Sequence, residues 1–106
     1  MDTVRIVDLT AIFAALANPK RRRILASLRE PERHYQPNPG IDMREMGVCV
    51  SQVSAHLGVS AATASQFLAQ LRDVGLLTSQ RIGKFTYYQR NDQQVQAVAD
   101  AVQSSI

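Results

Sequence analysis

At 106 residues, with 45% hydrophobic, 20% charged and 6% aromatic composition, the chain has the size and balance of a single small globular domain spanning 1–106. That length excludes a cofactor-binding sheet joined to a catalytic lobe, and no apolar run approaches the roughly 20 residues of a membrane span. The formal charge is +3, and 11 of the 12 basic residues fall between Lys20 and Arg90 against five of the nine acids, a basic middle that suits a polyanionic partner.

Residues 4–17 place Val7, Leu9, Ile12, Phe13 and Leu16 near helical spacing and predict a first helix. Asn18-Pro19 joins a favoured N-cap to a favoured first helical residue, so a second helix is expected over 19–30, burying Ile24, Leu25 and Leu28. Its first turn carries Lys20, Arg21, Arg22 and Arg23. Cations there oppose the helix macrodipole by up to about 1 kcal/mol, so local stability does not explain them. A solvated, partly salt-bridged face would, and so would a surface for phosphate, a second copy or another domain. Residues 31–47 hold Pro31, Pro37, Pro39, Gly40 and Gly47 and read as a long irregular loop, with a helical turn over 41–46 at most. That loop could form a ligand pocket, touch DNA through Arg33 or Arg44, or be a variable connection.

From Cys49 the signals tighten. Ser51 is expected to cap a short helix running to Leu57, which Gly58 ends. Ser60 caps the next helix, with Ala64, Phe67, Leu68 and Leu71 along one face and Gly75 just past its end. Residues 76–82 and 85–90 are β-prone, and Gly83-Lys84 between them reads as a hairpin turn. Residues 91–106 set Val95, Val98, Val102 and Ile106 on one stripe. The expected fold is mainly α with a small β-hairpin wing, in the order α-α-α-α-β-β-α.

Two short helices joined through Gly58-Val59-Ser60, with small Ser54 four residues before the glycine, make a helix-turn-helix over about 51–74. Gly58 supplies the positive φ of so short a turn, and Ser54 lets the helices approach. The hairpin over 76–90 directly afterwards makes the motif a winged one. LANPKRRRILASL, CVSQVSAHLGVSAATASQFLAQLRDVGLL and RIGKFTYYQ together resemble the ArsR/SmtB family of bacterial winged-helix repressors over roughly residues 10–90. The resemblance implies a homodimer formed by the first and last helices (about 4–17 and 91–105), operator DNA as the target and repression as the outcome. Many members of that family release DNA when a metal ion or another small signal arrives.

The candidate residues follow. Ser60, Ala62, Thr63, Ser65 and Gln66 open the recognition helix; Gln pairs bidentately with adenine, and Ala or Thr methyls meet the thymine methyl. Arg81 and Lys84 flank the wing turn and suit phosphate or minor-groove contact. Leu9, Ile12, Phe13, Leu16, Val95, Val98 and Val102 are the dimerisation candidates, beside the simpler reading that they cover the core of one chain. Metal-sensing relatives carry two cysteines around a valine, then an acid. Here Cys49 matches, while Ser51 and Gln52 replace the second cysteine and the acid, and no histidine follows His56. No metal site and no cofactor are therefore expected. Cys49 alone could act as a thiol or redox sensor; as the only cysteine it forms no internal disulfide, which fits a reducing cytoplasm. No nucleophile–base set or phosphate-cradling glycine motif is visible, so an enzyme is not expected. A winged helix that binds protein instead of DNA remains the rival, and an acidic or apolar recognition face would mark it.

Overall fold

The computed structural model describes residues 6–106. Asp8 accepts a hydrogen bond from the Ala11 amide at 3.1 Å and starts α1 (Leu9–Leu16), so that helix opens at its cap and not near residue 4. Val4 lies outside the described residues. Asn18 Oδ1 accepts from the amides of Lys20 and Arg21 at 2.9 and 3.1 Å, and Pro19 opens α2 (Pro19–Ser27) as expected. α2 stops three residues short of the predicted 30. Pro31 disfavours helical geometry at the residue before it, and the chain turns into a 3₁₀ segment, Pro31–Arg33.

The proline-rich stretch is more ordered than its composition suggests. Tyr35 is buried with its hydroxyl 2.7 Å from Ser27 Oγ, and Asn38 Nδ2 donates to Tyr87 Oη at 3.0 Å. Gln52 Nε2 donates to the Gln36 carbonyl at 2.7 Å. Asp42 then caps α3 (Met43–Met46). Gly47 follows at φ +92°, where an added Cβ would stand 2.2 Å from the Tyr88 carbonyl oxygen. Only glycine lets α3 and the sheet come this close.

A strand that the sequence reading lacked, β1 (Val48–Cys49), precedes α4 (Val50–Leu57). Two residues are too few to show alternation, so no local pattern announces it. Its presence also moves the start of the helix-turn-helix. Cys49 occupies the N-cap position of α4, its amide donating to Gln52 Oε1 at 2.8 Å, and Ser51 is an exposed residue inside the helix instead of its cap. Then come α5 (Ala61–Asp73), β2 (Leu77–Ile82), β3 (Phe85–Arg90) and α6 (Asp92–Ser105). The observed order is α-α-α-β-α-α-β-β-α, a mainly helical winged fold. Its sheet runs β1-β3-β2, antiparallel throughout, with Val48 opposite Tyr88 and Ile82 opposite Phe85.

One core joins the elements. Ile12, Ile24, Val53, Leu57, Ala64, Leu68, Leu71, Leu77 and Tyr88 are all buried in it. Phe67, expected on the buried face of α5, is only half-buried, at the edge of the core, where the Arg21 guanidinium covers its ring at 5.6 Å from the centroid. α6 is anchored by a residue that no periodicity reveals. Asn91, buried, caps the helix, donates its side-chain amide to the Gly75 carbonyl at 3.1 Å, and its backbone amide to that of Leu76 at 2.9 Å. Among the described residues no helix is long and apolar enough to cross a membrane.

Candidate nucleic-acid interface

α4 and α5 cross through a three-residue turn. Gly58 ends α4 at φ +68°, and Ser54 Oγ donates to the Val59 carbonyl at 2.6 Å, so the small residue both permits the approach and fastens the turn. Ser60 caps α5: its hydroxyl oxygen accepts from the Thr63 amide at 3.1 Å while the hydroxyl donates to Thr63 Oγ1 at 3.0 Å. Ser60 and Thr63 are thus engaged with each other. Ala62, Ser65 and Gln66 are exposed on the turns that follow, and the side chains of Ser65 and Gln66 make no hydrogen bond among the described residues. Ala64, Leu68 and Leu71 hold the opposite face of α5 in the core. The helix therefore presents a narrow polar edge on a rigid support.

The wing presents its charge at the turn. Lys84 is exposed at the tip, and Arg81 folds back so that Nε donates to the Gly83 carbonyl at 3.2 Å. Phe85, 54% exposed, stands beside them.

The basic cluster of α2 has a different use. Arg21 donates from Nε to the Ala15 carbonyl at 2.6 Å, from one Nη to the Ala14 carbonyl at 3.1 Å, and from the other to Gln70 Oε1 at 3.0 Å. Arg22 reaches the Leu16 carbonyl at 2.5 Å and Arg23 the His56 carbonyl at 3.4 Å. Those carbonyls belong to the last turns of α1 and α4, where helix geometry leaves acceptors short of partners; Ala14 shares its carbonyl with the Ala17 amide. A cation also suits the negative end of a helix dipole. Placed badly for its own helix, the cluster is placed well for two others. The loop arginines are paired too, Arg33 with Glu30 at 2.9 Å and Arg44 with Glu32 through a 3.0 Å Nε bond. The hydrogen bonds from these arginines hold both carboxyls below the usual range.

Cys49 is buried in β1, 2% exposed. Burial pushes its thiol up, but hydrogen bonds from Ser51, Asn38 and the amides of Gln52 and Ser51 outweigh it and leave the thiol lowered. Its Sγ lies 3.2 Å from Ser51 Oγ and 3.5 Å from Asn38 Nδ2. Ser51 and Gln52 lower it from within the same turn, and Asn38, eleven positions away, adds to them through the fold. Among the described residues no three His, Cys, Asp or Glu side chains gather as metal ligands. His56 packs against Tyr35 and His34 with ring centroids 4.9 and 5.7 Å away. Burial, then Arg23 and His34, lower its pKa.

The dimerisation candidates divide. Ile12 and Val98 are buried within the single chain and serve its core. Leu9, Leu16, Val95 and Val102 are half-buried, and Phe13 is 46% exposed on α1, which packs on α6.

Residues 43–79, from α3 to the start of the wing, match the model of the family described as "Bacterial regulatory protein, arsR family". The chain is also 45% identical over 95 residues to the HTH-type transcriptional regulator YbzH of Bacillus subtilis (strain 168), covering 90% of this chain and 95% of that one. The chain belongs to the arsR family of bacterial regulatory proteins. It is a DNA-binding transcriptional regulator of the helix-turn-helix type. A second relative, described as a transcriptional repressor SmtB homolog of Synechocystis sp. (strain ATCC 27184 / PCC 6803 / Kazusa), is 30% identical over 102 residues, covering 92% of this chain and 66% of its own. In fold, the arsR-family chain matches the homodimeric winged helix-turn-helix DNA-binding domain Mb0332 from Mycobacterium bovis at a TM-score of 0.63. The identity there is 22%, over 92% of this chain and 77% of that one.

Proposed function

We propose that this arsR-family regulator is a homodimeric repressor of an inverted-repeat operator, with Gln66, Ser65 and Ala62 reading base edges in the major groove. Arg81 and Lys84 hold phosphates or the minor groove from the wing. Ser60 and Thr63 set the first turn of α5 and lie where a phosphate would pass. The observation that carries this reading is the edge of α5: polar, exposed and hydrogen-bonded to nothing else, on a helix whose other face is locked in the core. An acidic or apolar edge would have favoured a protein partner. The exposed Phe13 and the half-buried Leu9, Leu16, Val95 and Val102 supply an apolar surface for a second copy, and the M. bovis domain of the same fold is a homodimer. The regulator works without the paired-cysteine metal site of its relatives, because Ser51 stands where the second thiolate would be. Cys49 is structural in this reading: oxidants and soft metals reach exposed thiolates, and this sulfur is enclosed.

The test is fluorescence-anisotropy binding to duplex DNA from upstream of its own gene and to scrambled duplex, over a salt series, with the oligomeric state measured by light scattering. Tight, sequence-selective binding of one dimer per site is the expected result. Equal weak binding to both duplexes by a monomer would sink the proposal.

A further inference from the structure

Behind the wing, on the side away from its tip, a cleft of about 270 Å³ opens between the end of α2, α3, β3 and the start of α6. Arg29, Arg44 and Arg90 all line it, with Gln89, Gly47 and Asp92. Three guanidinium groups against one carboxylate is an unusual lining for a cavity this small, and each group has donors to spare. Arg29 makes no side-chain hydrogen bond or ion pair among the described residues. Arg44 is held by Glu32 in a pair open to solvent, 72% and 40% exposed, which a competing anion can replace.

Arg90 is the decisive member. Its side chain is only 17% exposed, and Nε lies 2.9 Å from Asp92 Oδ1, close enough for an ion pair but not aligned for a hydrogen bond. Among the described residues, Arg90 Nε is the one buried side-chain nitrogen or oxygen without a hydrogen-bonded acceptor. One Nη reaches the Leu25 carbonyl at 3.5 Å, a weak contact. Asp92, itself 82% exposed, balances only one of the three guanidinium charges, so the cleft keeps an excess of positive charge beside a partly enclosed arginine. The backbone around it is firm: Gly47 is wedged against Tyr88, and Gln89 Nε2 donates to the Arg44 carbonyl at 2.7 Å.

We infer that this cleft is a binding site for a small oxyanion, a phosphate ester or a short dicarboxylate, held by Arg29, Arg90 and Arg44. Guanidinium forks match the paired oxygens of both groups. A duplex backbone is a poorer match. Arg90 pairs with Leu77 at the base of the wing, five residues along the strand from the Ile82–Phe85 pair beside the turn. That is roughly 17 Å from the tip, in a recess and not on the α5 edge.

The experiment is isothermal titration calorimetry of the full chain with pyrophosphate and, separately, succinate, against sodium chloride at matched ionic strength. Arg29→Gln is the test variant, because Arg29 is exposed and its loss leaves the fold intact; Lys20→Gln, on the same helix outside the cleft, is the control. Saturable binding of one anion per chain is expected, about tenfold or more weaker in Arg29→Gln and unchanged in Lys20→Gln. Preference for pyrophosphate or for succinate identifies the phosphate or the carboxylate arm. No saturable heat beyond chloride, or equal binding by Arg29→Gln, overturns the site. So does a result in which Arg29→Gln binds no anion differently but lowers the salt dependence of DNA binding, which would make Arg29 a duplex contact. The titration contains no DNA, so its outcome is separate from that of the operator test.

Discussion

Lys20, Arg21, Arg22 and Arg23 form the densest run of positive charge in the chain, whereas the tip of the wing carries two cations, Arg81 and Lys84, spaced around a turn. Density would nominate the first as the DNA surface. The hydrogen bonds say otherwise. On α2 each guanidinium ends on a carbonyl of its own chain, and Arg21 is additionally folded over Phe67. At the wing, Lys84 ends in solvent and Arg81 is braced on the turn that carries it. A cation whose donors are already directed at helix ends contributes to the fold. A cation whose donors are unassigned is available to a phosphate.

That contrast can be broken by substitution. Arg21→Ala removes bonds to two carbonyls and to Gln70, so it should destabilise the chain by about 2 kcal/mol and lower Tm by roughly 10 °C, with the salt slope of DNA binding unchanged. Thermal unfolding with a parallel binding titration decides it; a reduced slope with normal stability would return the cluster to the DNA surface. Gln66→Ala should cost about 1–3 kcal/mol on the specific operator and nothing on random duplex. Equal losses on both would remove its base-reading role. Lys84→Ala should weaken binding to all sequences alike and reduce the salt slope by about one, with Tm unchanged. A slope that stays put would take Lys84 off the phosphate contacts.

The smallest expected effect concerns pH. His56 has a lowered pKa in the folded chain, so the unfolded chain binds its proton more readily. Stability should therefore fall as pH drops through about 6.5, and His56→Gln should flatten that decline. An unchanged pH profile of Tm in the variant would show that the ring is not the titrating group.

What could be read from the sequence was what a few adjacent residues decide. Asn18-Pro19, Gly58, Ser60 and Gly83-Lys84 each fix a cap or turn by their own chemistry, and with them the helix-turn-helix and wing follow. Harder to see were elements defined by distant partners. β1 exists because Val48 and Cys49 meet Tyr88 and Tyr87 some forty positions later. The exposed Gln66 was foreseeable from its place on α5, since the apolar face of that helix locates the opposite edge. The destination of Arg21 was not, because nothing local tells a guanidinium which carbonyls will lie within reach. The arginine cleft was hidden for the same reason: its three arginines come from three separate segments.

Asn91 ties the first residues of α6 to the bend that ends α5, through Gly75 and Leu76. In the proposed dimer built on α6, that joint would fix the distance and twist between two recognition helices. Its stiffness would become an intolerance on the DNA. One base pair inserted between the half-sites moves one of them by about 3.4 Å and about a tenth of a turn. In that proposed dimer a single capping asparagine would act as a gauge of spacer length, and softening it would widen the range of operators accepted.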